Sequence, residues 1–140
     1  MKSIVWKIHL KSSPEIVFGF LSTTSGREKF WAEKAPEVNG TIHFSFPNGE
    51  SYESQILKSN TNIEFQLDYF NSTVKFSLEP SLNNGTDLTL TNEGVAEDEY
   101  LEVHSGWISV LMSLKAAVDF QIDLRNHTPN KTWDQKYIDN

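Results

Sequence analysis

From residue 41 to residue 91 apolar and polar side chains alternate, and the run is cut at short intervals by turn residues. Ile42, Phe44 and Phe46 alternate with Thr41, His43 and Ser45; Ile63, Phe65, Leu67 and Tyr69 alternate with Glu64, Gln66 and Asp68. Val74, Phe76 and Leu78 alternate with Lys75, Ser77 and Glu79, and Leu88 and Leu90 with Asp87, Thr89 and Thr91. A period of two places successive side chains on opposite faces of a strand. The breaks are Pro47-Asn48-Gly49-Glu50, Ser59-Asn60-Thr61-Asn62, Asn71-Ser72 and Asn83-Asn84-Gly85, rich in the Asn and Gly that tight hairpins require. Together with 52–58, this predicts five sequential antiparallel strands. Residues 3–11 alternate in the same way, with Ile4, Trp6, Ile8 and Leu10 on one face, and supply a sixth strand.

A sheet with one dry face needs a cover. One segment is long enough to supply it. Across 97–122, Val103, Trp107, Val110, Leu111, Leu114, Val118 and Ile122 fall on one helical face, with Glu102, Ser105, Ser109, Ser113 and Asp123 opposite. The acidic run Glu97, Asp98, Glu99 suits a helix N-terminus. Such a segment makes a rod of roughly 37 Å at ~1.5 Å per residue.

Between the first strand and the hairpins, Ser12-Ser13-Pro14-Glu15 predicts a helix start, with Ile16, Val17, Phe20 and Leu21 following. Residues 23–31 read as a second short helix or turn ending on Phe30 and Trp31. The order is β-α-α-β-β-β-β-β-α, an α+β class in which a six-stranded curved antiparallel sheet wraps the long C-terminal helix. Residues 1–140 are expected to form one domain. Within it 1–124 is the core, and 125–140 is a polar tail that docks back by Trp133 and Tyr137. A curled sheet around a rod encloses a tapered space, and its contents decide function.

Composition narrows the choices. The net charge is -7 and the basic residues are scattered, which disfavours nucleic acid as a partner. No apolar run reaches the ~18 residues of a membrane span. The first residues carry charges and lack the apolar stretch of a secretion signal, so a cytoplasmic location is expected. There is no cysteine. His9, His43, His104 and His127 show no metal-ligand spacing, so no metal is expected. No dinucleotide, Walker or nucleophile-elbow pattern is present, so no cofactor is expected either.

Several short motifs share an order with a known superfamily. Pro14-Glu15-Ile16-Val17-Phe18 opens the first helix, and Phe30-Trp31 ends the second. Asn84-Gly85-Thr86 with Leu88 and Leu90 forms the last strand, and Gly106-Trp107 with Leu111, Leu114 and Lys115 lies in the closing helix. In this the chain resembles the START/Bet v 1-like, or SRPBCC, superfamily with its helix-grip fold. Within that superfamily it resembles the bacterial activator of Hsp90 ATPase homologue 1-like (AHSA1-like) family, over roughly residues 4–124. At Asn39-Gly40 it departs from the paired glycines of many relatives. The resemblance implies a cavity between the long helix and the sheet that holds a hydrophobic small molecule. It implies no fixed chemistry, since relatives include lipid and polyketide binders as well as cyclases and dehydratases.

The residues expected to line such a cavity are Trp31, Phe44, Tyr52, Phe65, Phe76, Val103, Trp107, Leu111 and Leu114. Each also has a plainer reading as core packing, Trp107 included. No convergent set of titratable groups is evident, which favours binding over catalysis. His104, one turn before Trp107, is the weak candidate for an acid or base in a polyketide cyclase or dehydratase type of enzyme. Leu101, Ile108 and Met112 form a second apolar stripe on the helix, for packing or for a weak homodimer. A chaperone-ATPase role is implied by the family name alone, and a chaperone contact is not expected without a second domain.

Overall fold

The computed structural model describes all 140 residues, Met1–Asn140. Strand β1 (Lys2–Leu10) leads into helices α1 (Pro14–Ser22) and α2 (Thr24–Arg27). Strands β2 (Glu37–Val38), β3 (Thr41–Ser45), β4 (Ser51–Asn60), β5 (Glu64–Tyr69), β6 (Ser72–Ser81) and β7 (Gly85–Val95) follow, and α3 (Tyr100–Phe120) closes the fold. The strands form one antiparallel sheet in the order β1-β7-β6-β5-β4-β3-β2. The architecture is the α+β helix grip, and it differs from the sequence reading in strand number, helix length and two local details.

The sheet has seven strands rather than six, because β2 pairs with β3 in a two-residue ladder, Glu37 opposite Ile42 and Val38 opposite Thr41. Two residues are too few to show an alternation. The signal was the Asn39-Gly40 dipeptide between them, whose φ angles of 51° and 81° are those a tight hairpin demands. The long helix is also shorter than 97–122. The acidic residues form a separate 3₁₀ turn, Glu97–Glu99, and left-handed Gln121 ends α3 before Ile122. Ile122 is accordingly half exposed.

The alternation sends Ile42, Phe44, Phe65, Leu67, Val74, Phe76, Leu78, Leu88 and Leu90 to the inner face. Trp107, Leu111, Leu114, Ala117 and Val118 of α3 meet them. Ser113 was expected outside and is buried. The β5–β6 turn falls one residue earlier than expected, on Phe70 and Asn71, both with positive φ.

Three polar anchors position the helices. Ser13 caps α1, its hydroxyl accepting the Ile16 N–H at 3.3 Å with Pro14 in the first turn. Arg27 is fully buried and donates to the Ala35 carbonyl from Nε and Nη2 (3.1 and 2.9 Å) and to the Leu21 carbonyl from Nη1 (3.1 Å). Burial lowers its pKa, against the opposing pull of Glu37 and Glu28. Asp119, near the end of α3, accepts from the Lys11 and Ser12 amides and from the Ser12 hydroxyl at 2.9–3.1 Å, tying the helix to the β1–α1 connection.

Candidate functional site

The α3–sheet interface is an aromatic cluster. Trp31 arrives from the loop after α2, Phe44 from β3, Tyr69 from β5, Phe76 from β6 and Trp107 from α3. Around the Trp31 ring, Phe44 lies at 4.8 Å, Tyr69 and Phe76 at 5.5 Å and Trp107 at 6.1 Å between centroids. Tilted and edge-on contacts dominate, the arrangements ring quadrupoles favour.

Each tryptophan has one hydrogen-bond partner inside. Trp31 Nε1 donates to the Tyr69 hydroxyl at 3.2 Å, and Trp107 Nε1 donates to Asn92 Oδ1 at 2.9 Å. Asn92 in turn donates from Nδ2 to Ser72 Oγ and the Thr73 carbonyl at 2.8 and 3.0 Å. Burial pushes the Tyr69 phenol up, so it stays a neutral donor and acceptor.

The expected hollow is therefore filled. Each aromatic side chain of this size buries roughly 150–250 Å², and here the rings occupy the space instead of lining it. The crevice that reaches the cluster, beside Trp31 and Phe46, has a volume of about 10 Å³. That is room for at most one water.

The structure brings Trp31, Phe44, Phe76 and Trp107 together. Phe65 pairs across strands with Phe76 and meets Phe18 of α1 edge-on at 6.2 Å. Leu111 and Leu114 are buried, and Val103 is half-buried against the same core. Tyr52 sits at the rim: it stacks on Phe70 at 4.6 Å and its hydroxyl donates to Asp68 Oδ2 at 3.2 Å. Burial, and Asp68 beside it, raise the Tyr52 pKa. His104 lies away from the cluster, its ring against Trp6 at 4.7 Å and Tyr100 at 5.4 Å.

The sequence reading puts Tyr69 on the inward phase without assigning it to the site, and gives Asn92 and Ser54 no role. All three share the inward phase of residues it had named, Tyr69 with Phe65, Asn92 with Leu88 and Leu90, Ser54 with Tyr52. Ser54 is buried and its hydroxyl has no partner. No three His, Asp or Glu side chains are grouped to hold a metal ion. No helix is long and apolar enough to cross a membrane.

The family model described as "Activator of Hsp90 ATPase homolog 1-like protein" matches residues 11–119, which carry α1 through nearly all of α3. The chain belongs to that family. The helix-opening, last-strand and closing-helix motifs all lie inside the matched span.

Solved structures agree with this family's architecture. One is the solution structure of the Aha1 dimer from Colwellia psychrerythraea, 26% identical with a TM-score of 0.76, covering 86% of this chain and 98% of that one. A Staphylococcus saprophyticus protein, 19% identical, has a TM-score of 0.76 over 86% of this chain and 94% of its own. A Mesorhizobium loti protein, 21% identical, has a TM-score of 0.73 over 84% of this chain and 97% of its own. No curated protein sequence matches this family member.

Proposed function

We propose that this family member is a non-catalytic binding protein for a hydrophobic, lipid-, polyketide- or aromatic-like small molecule, which enters the aromatic cluster under α3 when that cluster opens. The observation that carries the reading is the meeting of Trp31, Phe44, Tyr69, Phe76 and Trp107 at the grip between helix and sheet. Ligand sites are mostly apolar with a few placed polar groups. Here those groups are the Tyr69 hydroxyl and Asn92.

Because the rings fill the space, entry has a cost. Moving one tryptophan out of the core exposes about 200 Å², worth about 5 kcal/mol at ~25 cal/mol/Å². A guest has to return that by burying a comparable apolar area, so small polar metabolites are poor candidates. Catalysis is the weaker reading: His104 is outside the cluster, and Tyr69 is the titratable group within it. Tryptophan fluorescence against a panel of fatty acids and polyphenols tests the proposal. Saturable quenching that disappears in Trp31→Phe supports it. A panel that leaves the emission unchanged, with melting temperature unmoved by every compound, overturns it.

Self-association is a second reading, with its own observation. Leu101, Ile108 and Met112 on the outer face of α3 are 78%, 44% and 49% exposed. The Colwellia relative is described as a dimer. Analytical ultracentrifugation of wild type and Ile108→Lys decides it: a concentration-dependent dimer lost in the variant supports it, and a monomer at all concentrations ends it.

A further inference from the structure

The segment after α3 lies beyond the span that the family model matches. The family match stops at residue 119, and the Colwellia structure is almost wholly covered while leaving 14% of this chain unmatched. The residues after α3 do not trail away. They cross one end of the fold and return to the aromatic cluster.

Their path is defined by side chains. Arg125 is buried and donates to the Ala32 carbonyl at 2.9 Å and the Glu28 carbonyl at 2.7 Å, with Asp123 as its counter-ion at 3.0 Å. His127 bridges Glu33 at 2.8 Å and Asp123 at 2.7 Å. Asn126 closes the segment on itself, donating from its backbone to the Asp139 carbonyl at 2.6 Å and from Nδ2 to the Lys131 carbonyl at 2.9 Å. Thr132 is fully buried, and Trp133 then stands edge-on against Phe46 at 5.2 Å. Asn48 Nδ2 donates to Asp134 Oδ1 at 3.2 Å.

Phe46 is the outer end of an aromatic path. It stacks on Phe44 at 6.2 Å, Phe44 meets Trp31 at 4.8 Å, and Trp31 meets Trp107 at 6.1 Å. The one-water crevice lies on this path. Trp31, Ala32, Phe46 and Pro47 form one side; Arg125, His127 and Asn140 of this segment form the other. Asn140 Oδ1 is out of contact with solvent and has no partner. The segment buries few apolar side chains: Tyr137 and Ile138 are exposed. Apart from Thr132 and the Trp133–Phe46 contact it is held by polar ties, the kind of segment whose local opening costs least.

We infer that residues 126–140 are an intrachain lid seated on Phe46 and Trp31, which swings away to open the route into the aromatic cluster. The inference rests on the binding reading above for the purpose of the opening, and on the contacts just described for the lid itself.

The chain has no cysteine, so it takes engineered thiols cleanly. Two forms are compared with wild type using 1-anilinonaphthalene-8-sulfonate as the probe. Trp133→Ala removes the contact with Phe46; Asn48→Cys with Asp134→Cys, bridged by a short thiol crosslinker, pins the lid shut. Because apparent affinity scales with the open fraction, Trp133→Ala is expected to bind the probe about tenfold more tightly than wild type, and the bridged protein more weakly. Amide exchange at 126–139 confirms that the lid has moved. Faster exchange there with no gain in probe binding overturns the inference, and so does a bridged protein that binds as wild type does. Should Trp133→Ala fail to fold, the bridged form before and after reduction of a cleavable crosslinker gives the same comparison. Failure of the binding reading is separate: it is read at Trp107 with natural-type ligands, whereas the lid is read at the Phe46 end.

Discussion

The indole nitrogen of Trp107 on α3 donates to Asn92 Oδ1 on β7 at 2.9 Å, and Asn92 is itself buried. One side-chain amide thereby fixes the rotation of the central tryptophan and bonds to β6 through Ser72 and Thr73. Asn92→Ala leaves the indole N–H of Trp107 unpaired in the interior. The expected loss is about 1–3 kcal/mol, the cost of one orphaned buried group. Urea unfolding measures it, and a change below ~0.5 kcal/mol would mean that water replaces the amide.

A second prediction concerns the contact between α1 and α2. A Cβ added at Gly26 would lie 2.5 Å from Phe20 Cα and 2.7 Å from the Gly19 carbonyl oxygen, so backbone has to move. Gly26→Ala is expected to cost more than about 2 kcal/mol by overpacking. Arg27→Lys beside it loses the fork that serves two carbonyls and is expected to cost about 2–3 kcal/mol. Thermal melts of both variants check this, and wild-type midpoints would contradict it.

These sites show what could be read in advance and what could not. Strands β3 to β7 were legible because their alternation is long. Trp107 was legible because helical spacing put it on the face of Leu111 and Leu114. Asn92 was legible in principle, as a polar residue in phase with Leu88 and Leu90. Arg27 was not: its partners are the carbonyls of Leu21 and Ala35, which carry no signature in the residue types. The filling of the hollow was equally hidden. Apolar patterning shows which faces turn inward, but whether the rings line a space or occupy it depends on packing in three dimensions.

A third prediction follows from two carboxylates. Burial alone would raise Asp119, but its bonds from Lys11, Ser12 and Lys115 outweigh that and hold its pKa down. Burial is likewise outweighed at Asp123, where Arg125 and His127 bring the value to about 2. Carboxyls depressed in the folded state add stability above their unfolded pKa, which fades as pH falls through the folded value. Stability is therefore expected to drop between about pH 4 and pH 2, and Asp119→Asn to flatten that drop. An unchanged slope in Asp119→Asn contradicts the assignment.

The fourth prediction is of opposite sign. Burial works against the charged form of His127, yet its hydrogen bonds to Glu33 and Asp123, with their charges, raise its pKa above 6.5. Arg125, on the same segment, is the opposing charge nearby. A raised folded pKa means stabilisation fully present below the unfolded value and lost as pH rises through the folded one. The segment 126–139 is expected to loosen across that upper range. Amide exchange corrected for intrinsic rates reads this directly, and His127→Gln should remove the dependence. Equal protection on both sides of the His127 titration would refute it.

The most direct measurement is the pair of indole N–H resonances of Trp31 and Trp107 in nitrogen-15 labelled protein, followed while hydrophobic compounds are titrated in. Entry of a guest into the aromatic cluster has to disturb the bonds to Tyr69 and Asn92, so both resonances should shift in a saturable way while that of Trp6, outside the cluster, stays put. If every compound leaves Trp31 and Trp107 unmoved, or shifts only Trp6 and Trp133, the cluster is a packed core and not a binding site.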